Sequence, residues 1–559
     1  MKNILQTIRI CLLFAILLIP IFYALCTAID LEYSFLKKMA YLWVVIILLL
    51  LPTLFVKART YFIIEGIFNL LFFPIDIASL YLNRQSTSRA FLQNILYTDL
   101  QEAGELLASM WPVCGLVLAI YLTYFALAWR VENTFLLPKR WRKVVLIGGI
   151  FAVATGIVTY SIYHYSRKSN QSIGTLLLSA IDTAAMKLYK IFPYNLYLEM
   201  ADIVAIHHQQ QKLQEQVAHF TFGITPTQQD NALYILVLGE AVRYDHLGIH
   251  GYELNTTPYL AQQSNLISYD SAFAQANLTA NSLPLILSRA TADDPNRAFR
   301  EKSIVAAFEE AGIVSGYITK QQPTAIERRI LSSCHYPYAY SKDFDVDGNY
   351  DAEMIDQLRA YVADTAQFFV LHMLGSHFRY ELRYPACFEV FKPVLGKSFS
   401  YSMINKSNKD KFVNAYNNTL LYLDYFMHEL ITYVDSLNKP AVIVYLSDHG
   451  ESFWDDERNL SLHGSYSIAK AEFHVPLLVW YSEQYAAAYP QKVENLKQNK
   501  TRAVSSNVVF SSMLDMAGVT EVVDSTKSIC SPYLQSIDSL WVMDGTGNAE
   551  HVSLKELNK

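Results

Sequence analysis

Apolar residues are unevenly placed in this chain. Five stretches in its first third, at 10–28, 39–56, 61–82, 110–129 and 144–163, are each long enough to cross a bilayer as a helix. A hydrocarbon core about 30 Å thick takes roughly 20 apolar residues. No other feature constrains the fold so strongly, because lipid offers no partner to a backbone N–H or C=O and admits only helices and closed barrels. The third stretch carries Glu65, Pro74 and Asp76, whose charges belong in the bundle interior or near an interface. A cleaved leader is the rival reading of the first stretch, since Lys2 and Arg9 precede it. No small-residue cleavage pattern follows, and four more apolar stretches do.

Basic residues set the expected orientation. With the N-terminus inside, Lys2, Arg9, Lys57, Arg59, Arg130, Lys139, Arg140, Arg142 and Lys143 are cytoplasmic, against Lys37, Lys38, Arg84 and Arg89 outside. Five spans then put everything after residue 163 on the outer side. Residues 165–231 read as a connector, in which 181–197 suits either a helix lying on the membrane surface or a packed linker helix.

From Asn231 onward the composition is that of an ordinary α/β protein. The net charge of −6 excludes a nucleic-acid surface, which needs clustered Lys and Arg. Cys334, Cys387 and Cys530 lie in this part, without metal-finger spacing, and leave room for one disulfide. Continuous apolar runs at 233–238, 313–318, 368–373, 441–446 and 475–480 predict buried strands of a largely parallel sheet. Helical patterns at 303–311 and 410–434 predict a helix–sheet–helix sandwich. In such folds ligands bind beyond the carboxyl ends of the strands.

The polar residues at those ends are Gly239-Glu240, followed by Arg243; Asp448-His449-Gly450-Glu451-Ser452; and His372, followed by Gly375-Ser376-His377. Two carboxylates and an imidazole converging on one rim suit zinc or manganese. A hydroxyl nucleophile becomes effective when a metal lowers its pKa. Thr279 and Ser282, in the segment 277–284 that opens a helix, are both placed for this, and the residues alone do not choose between them.

Taken together these residues resemble the phosphoethanolamine transferases of the alkaline phosphatase/sulfatase superfamily, the lipid A-modifying and mobile colistin-resistance enzymes among them. The likeness is carried by Gly239-Glu240-x-x-Arg243, Gly251-Tyr252, Thr257-Pro258, Thr279, Gly375-Ser376-His377, intact Asp448 to Ser452, and Leu462-His463-Gly464. It implies a five-span membrane domain at 1–164, a connector at 165–231 and a sulfatase-like α/β/α catalytic domain at 232–559. It further implies that Glu240, Thr279, Asp448 and His449 hold a catalytic Zn²⁺ (or Mn²⁺), with Thr279 as nucleophile. His377 and His463 then line the phosphate site or bind a second metal, Glu451 supports the metal shell, and Arg243 pairs with a phosphate or braces the fold. The implied reaction moves phosphoethanolamine from phosphatidylethanolamine to lipid A, lipopolysaccharide core or another envelope glycan, at the outer face of a bacterial inner membrane. A phosphoglycerol transferase of the lipoteichoic-acid-synthase type, a phosphodiesterase and an inactive envelope scaffold are the rivals. The chain departs from the family at Asn277 and Leu287, where cysteines bracket the nucleophile, and at Thr319-Lys320-Gln321-Gln322, so those substrate contacts are not carried over.

Overall fold

The structure is a computed structural model and describes residues 2–27, 35–83, 86–87, 92, 111–147, 192, 194–217, 219–226, 231–340, 348–396, 403–465 and 467–557. The chain divides into two compact units, Met1–Ala205 and Ile206–Lys559.

In the first unit the first four apolar stretches are helical, as α1 (Lys2–Leu17) with α2 (Ile19–Thr27), α3 (Phe35–Leu50), α4 (Ala58–Asn83) and α5 (Trp111–Trp129). α1 and α2 meet at Leu18, two residues before Pro20, which has no N–H to give to the helical ladder. Among the described residues three helical spans, Ile4–Thr27, Ala58–Leu80 and Trp111–Trp129, are long and apolar enough to cross a membrane, and Tyr41–Leu54 is a shorter apolar helix. The fifth expected stretch lies mostly outside the described residues, as does most of 181–197. α4 runs unbroken through Pro74. Its Asp76 is buried and accepts hydrogen bonds from the Thr87 hydroxyl at 2.7 Å and from Thr87 N at 3.2 Å, so the charge faces the bundle interior.

The second unit is built on a seven-stranded sheet of β1 (Leu233–Gly239), β2 (Leu266–Ser268), β3 (Val314–Thr319), β4 (Tyr336–Ala339), β5 (Gln367–His372), β6 (Ala441–Ser447) and β7 (Leu477–Tyr481), in the order β2-β7-β6-β1-β5-β3-β4. β4, β3, β5, β1 and β6 are mutually parallel. β7 runs antiparallel to both β6 and β2, so the sheet is mixed while remaining largely parallel, as the apolar runs predict. β4 and β2 were not expected. Tyr336–Ala339 alternates half-buried and exposed residues at a sheet edge, so it lacks the apolar run that marks a central strand.

β1 shows why the central runs are continuously apolar. Tyr234, Leu236 and Leu238 point into one core, and Leu233, Ile235 and Val237 into the other. The first core is covered by Ile304–Glu310 and Val508–Met516, the second by the long helix Lys409–Ser436. Period-two side chains with both faces covered leave no position for a polar residue until the strand ends. All six cysteines are free thiols, Cys334 and Cys530 buried and Cys387 exposed, so the disulfide the sequence left room for is not formed.

Candidate metal centre

The adjacent strands β6, β1 and β5 end together, because Gly239 pairs with Ser447 and Leu238 with His372. The next residues along β1 and β6 are Glu240 and Asp448-His449, all fully buried. Each carboxylate has one oxygen clamped and one bare. Asp448 Oδ1 accepts from His449 N at 2.7 Å and Ala241 N at 3.2 Å, the latter turned inward by a left-handed φ of 58° at Ala241. Glu240 Oε2 accepts from Gln321 Nε2 at 2.8 Å and from the Thr279 hydroxyl at 3.0 Å. Glu240 Oε1 and Asp448 Oδ2 are buried without a hydrogen-bond partner among the described residues. Both bare oxygens lie 3.4 Å from His449 Nε2, which is 3.1 Å from Thr279 Oγ1.

Two buried carboxylates this close repel, and burial followed by the Asp448 charge raises the Glu240 pKa well above the ordinary carboxylate range. Bare oxygens, an imidazole nitrogen and a hydroxyl around one point are a donor set that fits a divalent cation, zinc foremost. Glu240, His449 and His463 each also bring one ligating atom within 4.8 Å of the others.

Thr279 is the first residue of the helix Thr279–Ile286, after an extended Leu278. It therefore presents its hydroxyl to Glu240 and His449 instead of capping the helix. Ser282 donates to the Ala276 and Asp448 carbonyls at 3.1 and 2.7 Å and is buried, so of the two hydroxyls that of Thr279 is the one facing Glu240 and His449. His463 packs its ring 4.2 Å from that of His449 and meets Glu451 Oε1 through Nδ1 at 3.2 Å. Burial, then the neighbouring His449, holds its pKa well below the ordinary imidazole value, so it is neutral. Glu451 is fixed from its other oxygen by the Tyr380 hydroxyl at 2.9 Å. His377 turns Nδ1 to the Phe378 carbonyl, one residue after Ser376, whose N–H donates to the Glu240 carbonyl at 3.1 Å. Arg243 pairs its guanidinium with Asp245 at 2.7 Å and Asp455 at 2.9 Å.

The motif glycines are steric requirements. At Gly375, φ is +53° and a Cβ would stand 2.9 Å from the Glu240 Cβ. At Gly450 a Cβ would stand 2.1 Å from the Ala471 carbonyl oxygen, a clash between backbones. Gly450→Ala is therefore expected to cost about 3 kcal/mol or more, read as a drop in thermal midpoint against the wild type.

Three residues of the site were not legible from motif spacing. Gln321 follows β3 and holds Glu240. Asn277 is buried and donates to Glu472 Oε2 at 2.7 Å and to the Ser465 carbonyl at 2.9 Å. Glu472 Oε1 accepts from Ser452 Oγ at 2.8 Å and Ser465 Oγ at 3.1 Å, so one carboxyl ties the Thr279 segment to the loops that carry Asp448-His449 and His463. Burial pushes the Glu472 pKa up to about 7, against opposing hydrogen bonds from Ser452, Asn277 and Ser465. A carboxyl raised on folding contributes stability below its unfolded pKa and loses it as pH rises through the folded value. Between pH 4.5 and 7 the wild type should thus lose about 3 kcal/mol relative to Glu472→Gln, by denaturant titration at each pH. Parallel profiles for the two proteins would show that the carboxyl does not titrate there.

The family profile for Sulfatase matches residues 232–519, and that for Phosphoethanolamine transferase EptA/EptB matches residues 86–189. Kdo(2)-lipid A phosphoethanolamine 7''-transferase of Salmonella typhimurium is 31% identical over 297 residues, 50% of this chain and 50% of that protein. The chain thus spans about half the length of the curated relatives it matches first. The integral membrane lipooligosaccharide phosphoethanolamine transferase A of Neisseria meningitidis superimposes with a TM-score of 0.63 over 92% of this chain and 98% of that one, at 21% identity, a likeness of fold. The C-terminal periplasmic domain of EcEptC from Escherichia coli in complex with Zn gives a TM-score of 0.52 at 22% identity, over 59% of this chain and 94% of that domain.

Proposed function

Because the chain belongs to the sulfatase family, in its phosphoethanolamine-transferase branch, we propose that it transfers phosphoethanolamine from phosphatidylethanolamine to a lipid A or lipopolysaccharide acceptor through a covalent adduct on Thr279. The observation that carries this is a hydroxyl within 3.1 Å of both Glu240 and His449, beside two carboxylate oxygens without partners. Glu240, Thr279, Asp448 and His449 would hold Zn²⁺, for which the likeness to a zinc-bound periplasmic domain is further support. Zinc bound there lowers the pKa of the threonine hydroxyl and offsets the charge of the transferred phosphoryl group.

Thr279 Oγ1 attacks phosphorus, forming an Oγ1–P bond as the bond from phosphorus to the diacylglycerol oxygen breaks. The threonine proton, held against Glu240 Oε2, departs with diacylglycerol. His463 and His377 line the phosphoryl oxygens, His463 being oriented by Glu451. The acceptor's hydroxyl or phosphate oxygen then attacks the same phosphorus, the Oγ1–P bond breaks, and Thr279 regains a proton. Arg243 braces the loop and does not touch substrate. On this reading 1–164 makes five spans, 165–231 a connector and 232–559 the catalytic part, with the chemistry at the outer face of the inner membrane, where the donor lipid lies.

Vesicles carrying headgroup-labelled phosphatidylethanolamine or phosphatidylglycerol test the donor. Label should reach lipid A from the first alone. Transfer from phosphatidylglycerol, or release of label to water without any acceptor product, would assign the chain to a phosphoglycerol transferase or a phosphodiesterase.

A further inference from the structure

We infer that Gln321 is a positioning residue that selects which oxygen of Glu240 faces the metal and so tightens metal binding. The inference rests on the metal centre proposed above. Gln321 lies just beyond the carboxyl end of β3, is 6% exposed, and uses both hydrogens of one amide nitrogen: one to Glu240 Oε2 at 2.8 Å, the other to the Met373 carbonyl at 2.8 Å. Two acceptors at one end fix that end as the N–H₂ group, since a flipped amide would set oxygen against oxygen. The backbone that carries it is tied down as well. Gln321 N donates to Thr319 Oγ1 at 3.1 Å, and that hydroxyl lies 3.3 Å from His372 Nδ1 on the neighbouring strand.

The consequence for Glu240 is specific. Its Oε2 is taken by the amide and by Thr279, while Oε1 has no partner and points toward His449 Nε2. A carboxylate held this way offers a cation one oxygen in one orientation. Released from the amide, it can rotate about its terminal bond and must be ordered again each time a cation binds. Partners behind a metal ligand commonly account for about 10–100-fold in affinity. Gln322, the next residue, is exposed and serves as a control.

The test uses the full chain in detergent micelles, stripped of metal, with zinc affinity measured by competition against a chromogenic chelator. Gln321→Ala and Gln321→Met should each bind zinc about 10–100-fold more weakly than wild type, with Gln322→Ala unchanged. Methionine keeps the bulk without the donor, so it remains informative if the alanine protein fails to fold. Activity lost in Gln321→Met should return as free zinc is raised, which a general packing defect would not allow. Wild-type affinity in Gln321→Met would overturn the positioning role while leaving the metal centre standing. Absence of stoichiometric zinc in the wild type would overturn the metal centre, and the inference with it.

Discussion

Thr279→Ala lowers transfer by at least about 10⁴-fold and abolishes the covalent phosphoethanolamine adduct in the intact mass spectrum. Removing a nucleophile does not remove the rest of the site, so a residual rate from binding and charge stabilisation survives. The substitution should leave the fold nearly untouched. Thr279 is the first residue of its helix with no capping bond, and among the described residues its hydroxyl hydrogen-bonds to Glu240 and His449 alone. Thr279→Ser keeps a hydroxyl in reach and should retain both the adduct and measurable turnover. An alanine protein with wild-type transfer would mean that another group, or water, attacks phosphorus.

The second large effect is on the metal. In Asp448→Asn the amide oxygen can still accept from Ala241 N and His449 N, but an NH₂ group replaces the bare Oδ2. On the proposed assignment one ligand of four is lost, so zinc affinity should fall roughly 10²–10³-fold, and transfer at limiting zinc with it. The metal-free protein should move the other way. Glu240 and Asp448 repel across a buried space, and neutralising one of them removes that cost. Raised stability without metal combined with weakened zinc binding separates a ligand from a structural carboxylate; a fall in both would make Asp448 part of the scaffold alone.

How much of this was legible from residues follows from where each constraint acts. β1, β5 and β6 could be read because a strand covered on both faces must be apolar throughout, and their carboxyl ends were the places to look for chemistry. The antiparallel course of β7 and the edge strand β4 could not, since strand direction depends on connections between distant segments and an edge escapes the rule of double burial. The apolar helices of the first unit followed from length and apolarity, three of those among the described residues being long enough to cross a membrane, with α4 tolerating Pro74. Glu240, Asp448 and His449 stood out as polar residues directly after buried strands. The residues alone left Thr279 and Ser282 open and the resemblance named Thr279; in the structure one helical turn separates a hydroxyl facing Glu240 and His449 from one facing backbone carbonyls. Gln321, Asn277 and Glu472 were missed for a common reason: each acts through hydrogen bonds to residues far along the chain. Gln321 nonetheless sits at a strand end, where the same rim rule points.

Crystals of the zinc-loaded protein, with anomalous scattering recorded at the zinc edge, place the ion directly. A single strong peak is expected within about 2 Å of oxygen or nitrogen atoms from Glu240, Thr279, Asp448 and His449. A peak elsewhere, or one with the Thr279 hydroxyl turned away from it, would contradict a shared cation at these four side chains.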